Sequence, residues 1–465
     1  MPNSATPASA RRGAVFAAGH LGELTWQVPV ELVDAVLAET RTAERRLRAL
    51  PSRVGVYFVL ALCLFPGLGY RKVWAKLTAA PRGRKTPSAK AFRDLRRRLG
   101  AAPMRALFEV LAGPVAAPHT PGVRFGRYRT VAFDGCVSFK VPDTDRNRSW
   151  LGKLKASLGT TGYPVIRLMT VVETGTRALL GAVFGAPATG EIDYARRLLP
   201  VLRADMLVLV DRGFDAEAFL TELAGTGAQF LARLRNNRKL PVLARLDDGS
   251  HLSRIGELAV RIITADITVT CADGTRYTAT YRLATTLCDP RHYPARRLIA
   301  VYHQRWEHEI AYLALRHTLA EHRVLRSADP AGLEQELWAL LAVYQALRRA
   351  MVTAIESRPG TDPDRASFTT ALETAKDLLV NAINVTDDTD LVGRIGQAVL
   401  ADLLPPRRPR TSVRKVKSPL SRYNKKDPYR PDPSTRITSI TATINDPEPK
   451  HATREPKSLT TALGP

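Results

Sequence analysis

Through the first 122 residues the apolar positions recur at helical spacing, and from Val123 onward at strand spacing. Residues 31–50, 54–65 and 70–77 read as helices, separated by the breakers Pro51-Ser52 and Pro66-Gly67. Ser88 stands where it can cap the next helix, after which Phe92, Leu95 and Leu99 fall on one stripe. Arg93, Arg96, Arg97 and Arg98 are read as the opposite face, suited to resting on phosphates and equally to solvent.

Beyond Val123, strands are predicted at 128–133, 137–141, 165–172 and 178–184, then a helix over 192–202. Residues 206–210 form a short, wholly apolar run, the mark of a strand buried on both faces. A helix over 215–224 and a strand over 229–234 follow. Strands, helix, strand, helix, strand is the order of an α/β, ribonuclease-H-like core. Strand-rich pieces at 260–269 and 278–287 interrupt it, so an inserted β subdomain is expected at about 236–290. The chain then turns helical through 338–355 and 368–383. From Pro405 it is rich in Pro, Lys and Arg with little periodicity, and reads as a disordered basic tail. The expected organisation is an all-helical N-terminal DNA-binding domain (1–122), a catalytic domain (123–350), a helical region (351–404) and the tail (405–465).

Composition sharpens this. With 45% hydrophobic and 24% charged residues the chain is an ordinary globular protein, and 465 residues can bury more than one core. The charge is less ordinary: 69 Lys and Arg against 44 Asp and Glu leave +25. Such a surface attracts polyanions, nucleic acid first among them. Cys63, Cys136, Cys271 and Cys288 show no C-x-x-C pairing, which excludes a zinc ribbon or disulfide framework and fits a reducing compartment. No signal-peptide core opens the chain, and the apolar run 54–65 is too short to span a bilayer. A cytoplasmic, nucleoid-associated protein with no membrane partner is expected.

Two acids follow apolar strands: Asp134 after Thr130-Val131-Ala132-Phe133, and Asp211 after 206–210. In the expected order those strands are neighbours, and the edge of a buried parallel sheet is where α/β active sites form. Two carboxylates there repel unless a hard cation such as Mg²⁺ lies between them. Each could equally cap the turn that follows it. Further on, Tyr302, Arg305, Glu309 and Arg316 lie at offsets of three, four and seven. At about 100° per residue they share an arc of roughly 60° over roughly 20 Å of helix. An ion pair between Arg305 and Glu309 would explain those two, but not the row. Trp306 reads as core packing. His303, His308, His317 and His322 read as solvated or DNA-facing, since the first two point about 140° apart and cannot share a metal. Gly225-Thr226-Gly227 lacks the residues of a phosphate loop.

This pattern resembles the Y-R-E-K signature of the bacterial insertion-sequence DDE transposases: here Tyr302-His-Gln-Arg305-Trp306-Glu-His-Glu309, completed by position 316. Phe133-Asp134-Gly135 and Val210-Asp211-Arg212-Gly213-Phe214 agree with the family's other two motifs, and the likeness runs from about Val54 to Tyr344. It departs at Arg316, where the family usually has Lys; a planar fork replaces a point charge. The resemblance implies that Asp134, Asp211 and Glu309 coordinate two Mg²⁺ ions (or Mn²⁺) for DNA cleavage and strand transfer. It implies a homodimer on terminal inverted repeats and target DNA. Tyr302, Arg305 and Arg316 would bind backbone phosphates, with Arg212 and Asn147 as further DNA contacts. A ribonuclease-H-like nuclease or resolvase, and an inactive DNA-binding descendant, remain alternatives.

Overall fold

The structure, a computed structural model, describes residues 20–44, 46, 48–78, 86–153, 155–156, 159–160, 162–381, 392–405 and 437–445. Helices α1 (Val30–Glu39), α2 (Ser52–Leu64), α3 (Tyr70–Leu77), α4 (Ala89–Leu99) and α5 (Ala102–Leu111) come first. The helix expected over 31–50 stops at Glu39. There the Thr40 hydroxyl donates to the Val36 carbonyl (2.6 Å), and Arg41 turns left-handed at φ 55°. The apolar run of α2 is buried almost throughout, and no helix among the described residues is long and apolar enough to cross a membrane.

Ser88 caps α4 as expected, its hydroxyl accepting from the Ala91 N–H at 3.1 Å, with Phe92, Leu95 and Leu99 buried beneath. The basic face needs one correction. Arg96 is buried, donating to Gln335 Oε1 (2.8 Å), Tyr70 Oη (2.7 Å) and Ser327 Oγ (2.9 Å). The reason is helical geometry: 92, 95, 96 and 99 are spaced i, i+3, i+4, i+7, so position 96 lies on the apolar stripe itself. Arg93, Arg97 and Arg98 are exposed.

The central sheet begins with β1 (Tyr128–Lys140), β2 (Val165–Glu173) and β3 (Leu179–Gly185), with the short helix α6 (Asp145–Leu151) after β1. Helix α7 (Glu191–Arg196) leads to β4 (Met206–Val210), and α8 (Glu217–Gly225) to β5 (Gln229–Arg233). Their order is β3-β2-β1-β4-β5, with β1, β4 and β5 parallel and the first three antiparallel. That is the order expected of a ribonuclease-H-like core. Alternation sends Val131, Phe133, Val208 and Val210 to one face, against Phe214, Phe219 and Leu220. Ala132, Leu207 and Leu209 go to the other, against Leu298, Ile299 and Tyr302. Both faces of β4 are therefore covered, which is why its sequence is apolar without a break.

The inserted strands, expected at about 236–290, extend the central sheet. β6 (His251–Ile255), β7 (Leu258–Cys271) and β8 (Arg276–Thr285) continue the same sheet, because β8 pairs antiparallel with β5 through Leu283↔Arg233 and Thr285↔Leu231. Among the described residues one 11-stranded sheet results, counting the two-residue strands Arg124–Phe125 and Ala244–Arg245. The disordered-tail expectation is corrected for eight residues. Ile437–Ile444 forms β9, antiparallel to β7 from Ala265↔Ile444 to Thr270↔Ser439. Its Ile440, Ala442 and Ile444 alternate onto one face and pack with Ile263, Ile267 and Ile299. Residues 406–436 and 446–465, on which the rest of that expectation falls, lie outside the described residues.

After the insertion come α9 (Ala295–Tyr302), a 3₁₀ turn (His303–Trp306), α10 (Glu307–Leu313) and a π-helical turn (Ala314–Leu319). The long, mostly buried α11 (Pro330–Glu356) then runs between the N-terminal helices and α12 (Phe368–Asn381) and α13 (Gly393–Ala401). It starts at Asp329, whose carboxylate accepts from the Gly332 N–H at 2.9 Å.

Candidate active site

Asp134 does not end its strand; it lies inside β1. What ends near it is the parallel ladder, which pairs Arg129 to Ala132 with Met206 to Leu209. Carried on by two residues, that register sets Asp134 beside Asp211, the residue after β4. The two acids thus meet at one edge of the parallel sheet. Asp211 also caps its turn, one carboxylate oxygen accepting from the Gly213 N–H at 2.5 Å. Position 213 must be glycine or shift: a Cβ there would stand 2.9 Å from that same oxygen.

Asp134 Oδ1 accepts from the Gly135 N–H at 2.8 Å, while Oδ2 lies 4.0 Å from Arg305 Nη1 and 3.7 Å from His308 Nδ1. Burial raises its carboxyl to about 7; the Arg305 charge opposes this, and the charges of Asp211 and Glu309 add to it. Asp211, Glu309 and Arg305 thus all act on the Asp134 carboxyl, and Arg305 in turn feels all three acids. Glu307, two residues from Glu309, serves the fold instead. It is buried and pairs with Arg177 Nε at 2.8 Å, while Arg177 Nη2 reaches Asp364 at 2.6 Å.

Among the described residues, no group of three His, Cys, Asp or Glu side chains stands close enough to hold a metal ion. The chemistry of the donors nevertheless fits a hard divalent cation. They are carboxylate oxygens, and one of them has its ionisation held back by burial and by two like charges, which a cation relieves.

The other expected residues divide. Arg305 sits at the site, 12% exposed, and Arg212 is exposed beside Asp211. Tyr302 is corrected: it is 5% exposed, its hydroxyl donates to the Val210 carbonyl at 3.2 Å, and burial pushes its phenol up. It fastens α9 to the end of β4 and presents nothing to a phosphate. Asn147 is corrected too, being fully buried with its amide donating to the Pro142 and Ser327 carbonyls (3.0 and 3.2 Å). Arg316 is half-buried in the π-helical turn, where the angular step of a regular helix no longer holds, so the one-face construction stops short of it. Among the histidines, His317 and His322 are exposed with ring centroids 3.7 Å apart. His308 is fully buried, not solvated, and burial lowers it to about 3, leaving the ring neutral. The Trp306 side chain lies outside those described.

Sequence reasoning missed two neighbours. Arg233 ends β5 on the same sheet edge, with its guanidinium 3.7 Å from the centroid of the Tyr281 ring. That ring meets Tyr302 edge-on at 6.3 Å. The rule that located Asp211 after β4 points equally to the end of β5.

Residues 18–109 match the family described as insertion element 4 transposase N-terminal, and residues 126–346 match the transposase DDE domain. The chain is similar to the transposase InsG for insertion sequence element IS4 of Escherichia coli (strain K12). They are 26% identical over 360 residues, which cover 73% of this chain and 78% of that protein. It is also similar to the putative transposase InsZ of the same strain, 26% identical over 202 residues covering 43% and 66%. Among solved structures it resembles a piggyBac transposase synaptic complex with hairpin DNA. That match has 11% identity over 86% of this chain and 87% of that one, with a TM-score of 0.39, at which the likeness carries no argument.

Proposed function

The chain belongs to the insertion-sequence DDE transposases of the IS4 type, and from that premise we propose that it binds the terminal inverted repeats of its element as a homodimer, then cuts and rejoins DNA with Asp134, Asp211 and Glu309 as its metal-binding carboxylates. The observation that carries this reading is the register of β1 and β4, which sets Asp134 beside Asp211, with the Glu309 charge acting on the same carboxyl. Asp134, Asp211 and Glu309 would hold two Mg²⁺ ions (or Mn²⁺), which when bound would supply Lewis acidity for hydrolysis and strand transfer at phosphorus. Gly135 and Gly213 N–H groups fix two of the three carboxylates. Arg305, Arg212 and Arg316 supply cations for the phosphates of the transferred end.

The test uses the full-length protein, a labelled duplex carrying the element's end, a target plasmid and Mg²⁺. Cutting at the end followed by joining of the new 3′-hydroxyl to target is expected. Structure-specific cutting with no joining would overturn transposition in favour of a nuclease.

A pH effect follows from Asp134. Its folded carboxyl, at about 7, lies above the ordinary value of roughly 3.9. In metal-free protein its contribution to stability is therefore fully present below that ordinary value, and is lost as pH rises through about 7. A cation competes with the same proton, so Mn²⁺ affinity is expected to fall roughly tenfold per pH unit below that point. Thermal melts should show Mn²⁺ raising the transition strongly at pH 8 and little at pH 5.5. An equal rise at both would contradict the assignment.

A further inference from the structure

Among the described residues His308 is the one buried histidine at the site, and its surroundings are specific. Thr170 lies directly across from Asp134 in the β1–β2 register. His308 Nε2 lies 3.0 Å from the Thr170 hydroxyl and 3.2 Å from the Thr170 carbonyl. Its Nδ1 is buried, has no hydrogen-bond partner and stands 3.7 Å from Asp134 Oδ2. The Tyr312 ring packs edge-on against the imidazole at 4.6 Å, and its hydroxyl donates to the Asp134 carbonyl at 2.7 Å. Side chains from β2 and α10 thus close on one residue of β1.

A neutral imidazole carries one N–H, and whichever nitrogen lacks it accepts. Facing an ionised carboxylate, the favourable tautomer puts the proton on Nδ1. Nε2 then accepts from the Thr170 hydroxyl, which also lies 3.2 Å from the Tyr312 hydroxyl. The charge on Asp134 outweighs the Thr170 carbonyl, an acceptor that favours the proton on Nε2 whenever Asp134 is neutral. At 3.7 Å the Nδ1–Oδ2 contact is too long for a hydrogen bond, and a modest turn of the carboxylate closes it. Oδ1 is already fixed by the Gly135 N–H, so a second bond on Oδ2 would set the carboxylate plane.

We propose that His308 is a positioning residue for the strand-cutting reaction. Backed by Thr170 on its Nε2 side, it orients the ionised Asp134 carboxylate towards the divalent cation through Nδ1. The inference rests on Asp134 being a metal ligand. Outer partners of this kind alter metal affinity by roughly 10–100-fold when lost.

The experiment measures Mn²⁺ binding to the full-length protein by electron paramagnetic resonance and calorimetry, without DNA or turnover. Wild type should bind, and D134N should not; unaltered binding by D134N would overturn the metal-ligand reading itself. Given that loss, H308L should bind roughly 10–100-fold more weakly while melting within a few degrees of wild type. H308N, whose amide N–H falls near the Nδ1 position, should recover most of the affinity. T170V should weaken binding in the same direction, and H308L/T170V should be no weaker than H308L alone. Wild-type affinity in H308L would overturn the role of His308. So would failure of H308N to recover affinity, or additive effects in the double variant, either of which would reduce His308 to packing. If H308L does not fold, T170V decides: unchanged affinity there rejects the proposal.

Discussion

Asp134→Asn is expected to leave end binding intact and to cut metal-dependent cleavage of the element's end by about a thousandfold or more. The substitution keeps the shape of the side chain and the Gly135 contact, but replaces an anionic oxygen ligand with an amide. Metal-assisted charge stabilisation is worth several kcal/mol, and each 1.36 kcal/mol is about tenfold in rate. The variant carries a second signature. Wild type holds a carboxyl whose burial and two acidic neighbours resist its ionisation, and Asn removes that burden. Metal-free D134N should therefore melt above wild type at pH 8, while gaining nothing from added Mn²⁺. Gel-shift, cleavage and melting measurements on one preparation check all three. Undiminished cleavage would reject Asp134 as a catalytic ligand.

The second large effect separates two glutamates only two residues apart. Glu307→Gln should destabilise the fold by about 3 kcal/mol, because Arg177 is buried and loses one of its two carboxylate partners. Glu309→Gln should leave stability near wild type and lower cleavage by about a thousandfold. Urea unfolding and end cleavage, measured on both, give opposite patterns. If Glu307→Gln proved stable and inactive while Glu309→Gln cut normally, the third carboxylate would have to be reassigned. Arg177 itself has a left-handed backbone (φ 62°) and sends its carbonyl to the Tyr344 hydroxyl at 2.8 Å. Arg177 thus ties the turn between β2 and β3 to α10 through Glu307, to α11 through Tyr344, and to Asp364 beyond it.

Sequence patterning reached far into this molecule wherever one local rule governed a segment. Met206–Val210 is a strand at the bounds its unbroken apolar run implied, and Tyr70–Leu77 is a helix following the breaker Pro66-Gly67. The acids were found by asking which carboxylates follow buried strands, though for Asp134 the strand runs on and only the ladder stops. Failures came where a polar residue takes its meaning from a distant partner. Arg96 lies on the apolar stripe by its spacing alone, but that its charge is met by Gln335 and Ser327 could not be read locally, since both are remote in sequence. Asn147 likewise answers carbonyls, one of them at Ser327. The row from Tyr302 to Arg316 was drawn on a uniform helix, and the chain inserts a 3₁₀ turn and a π-helical turn into it. The tail strand was visible in the alternation of Ile440, Ala442 and Ile444, but the surrounding Lys, Arg and Pro set the composition of the whole segment.

That strand bears on how the enzyme is made. Of the described elements, Ile437–Ile444 is translated last, well after Glu309, yet it lies along β7 and against the helix that leads to that residue. A nascent polypeptide stalled anywhere from residue 310 to 436 already contains every acid of the site, but leaves the flank formed by Ile263, Ile267 and Ile299 uncovered. Fragments from early stops before residue 437 would carry all three proposed acids without the strand that packs beside the helix leading to Glu309.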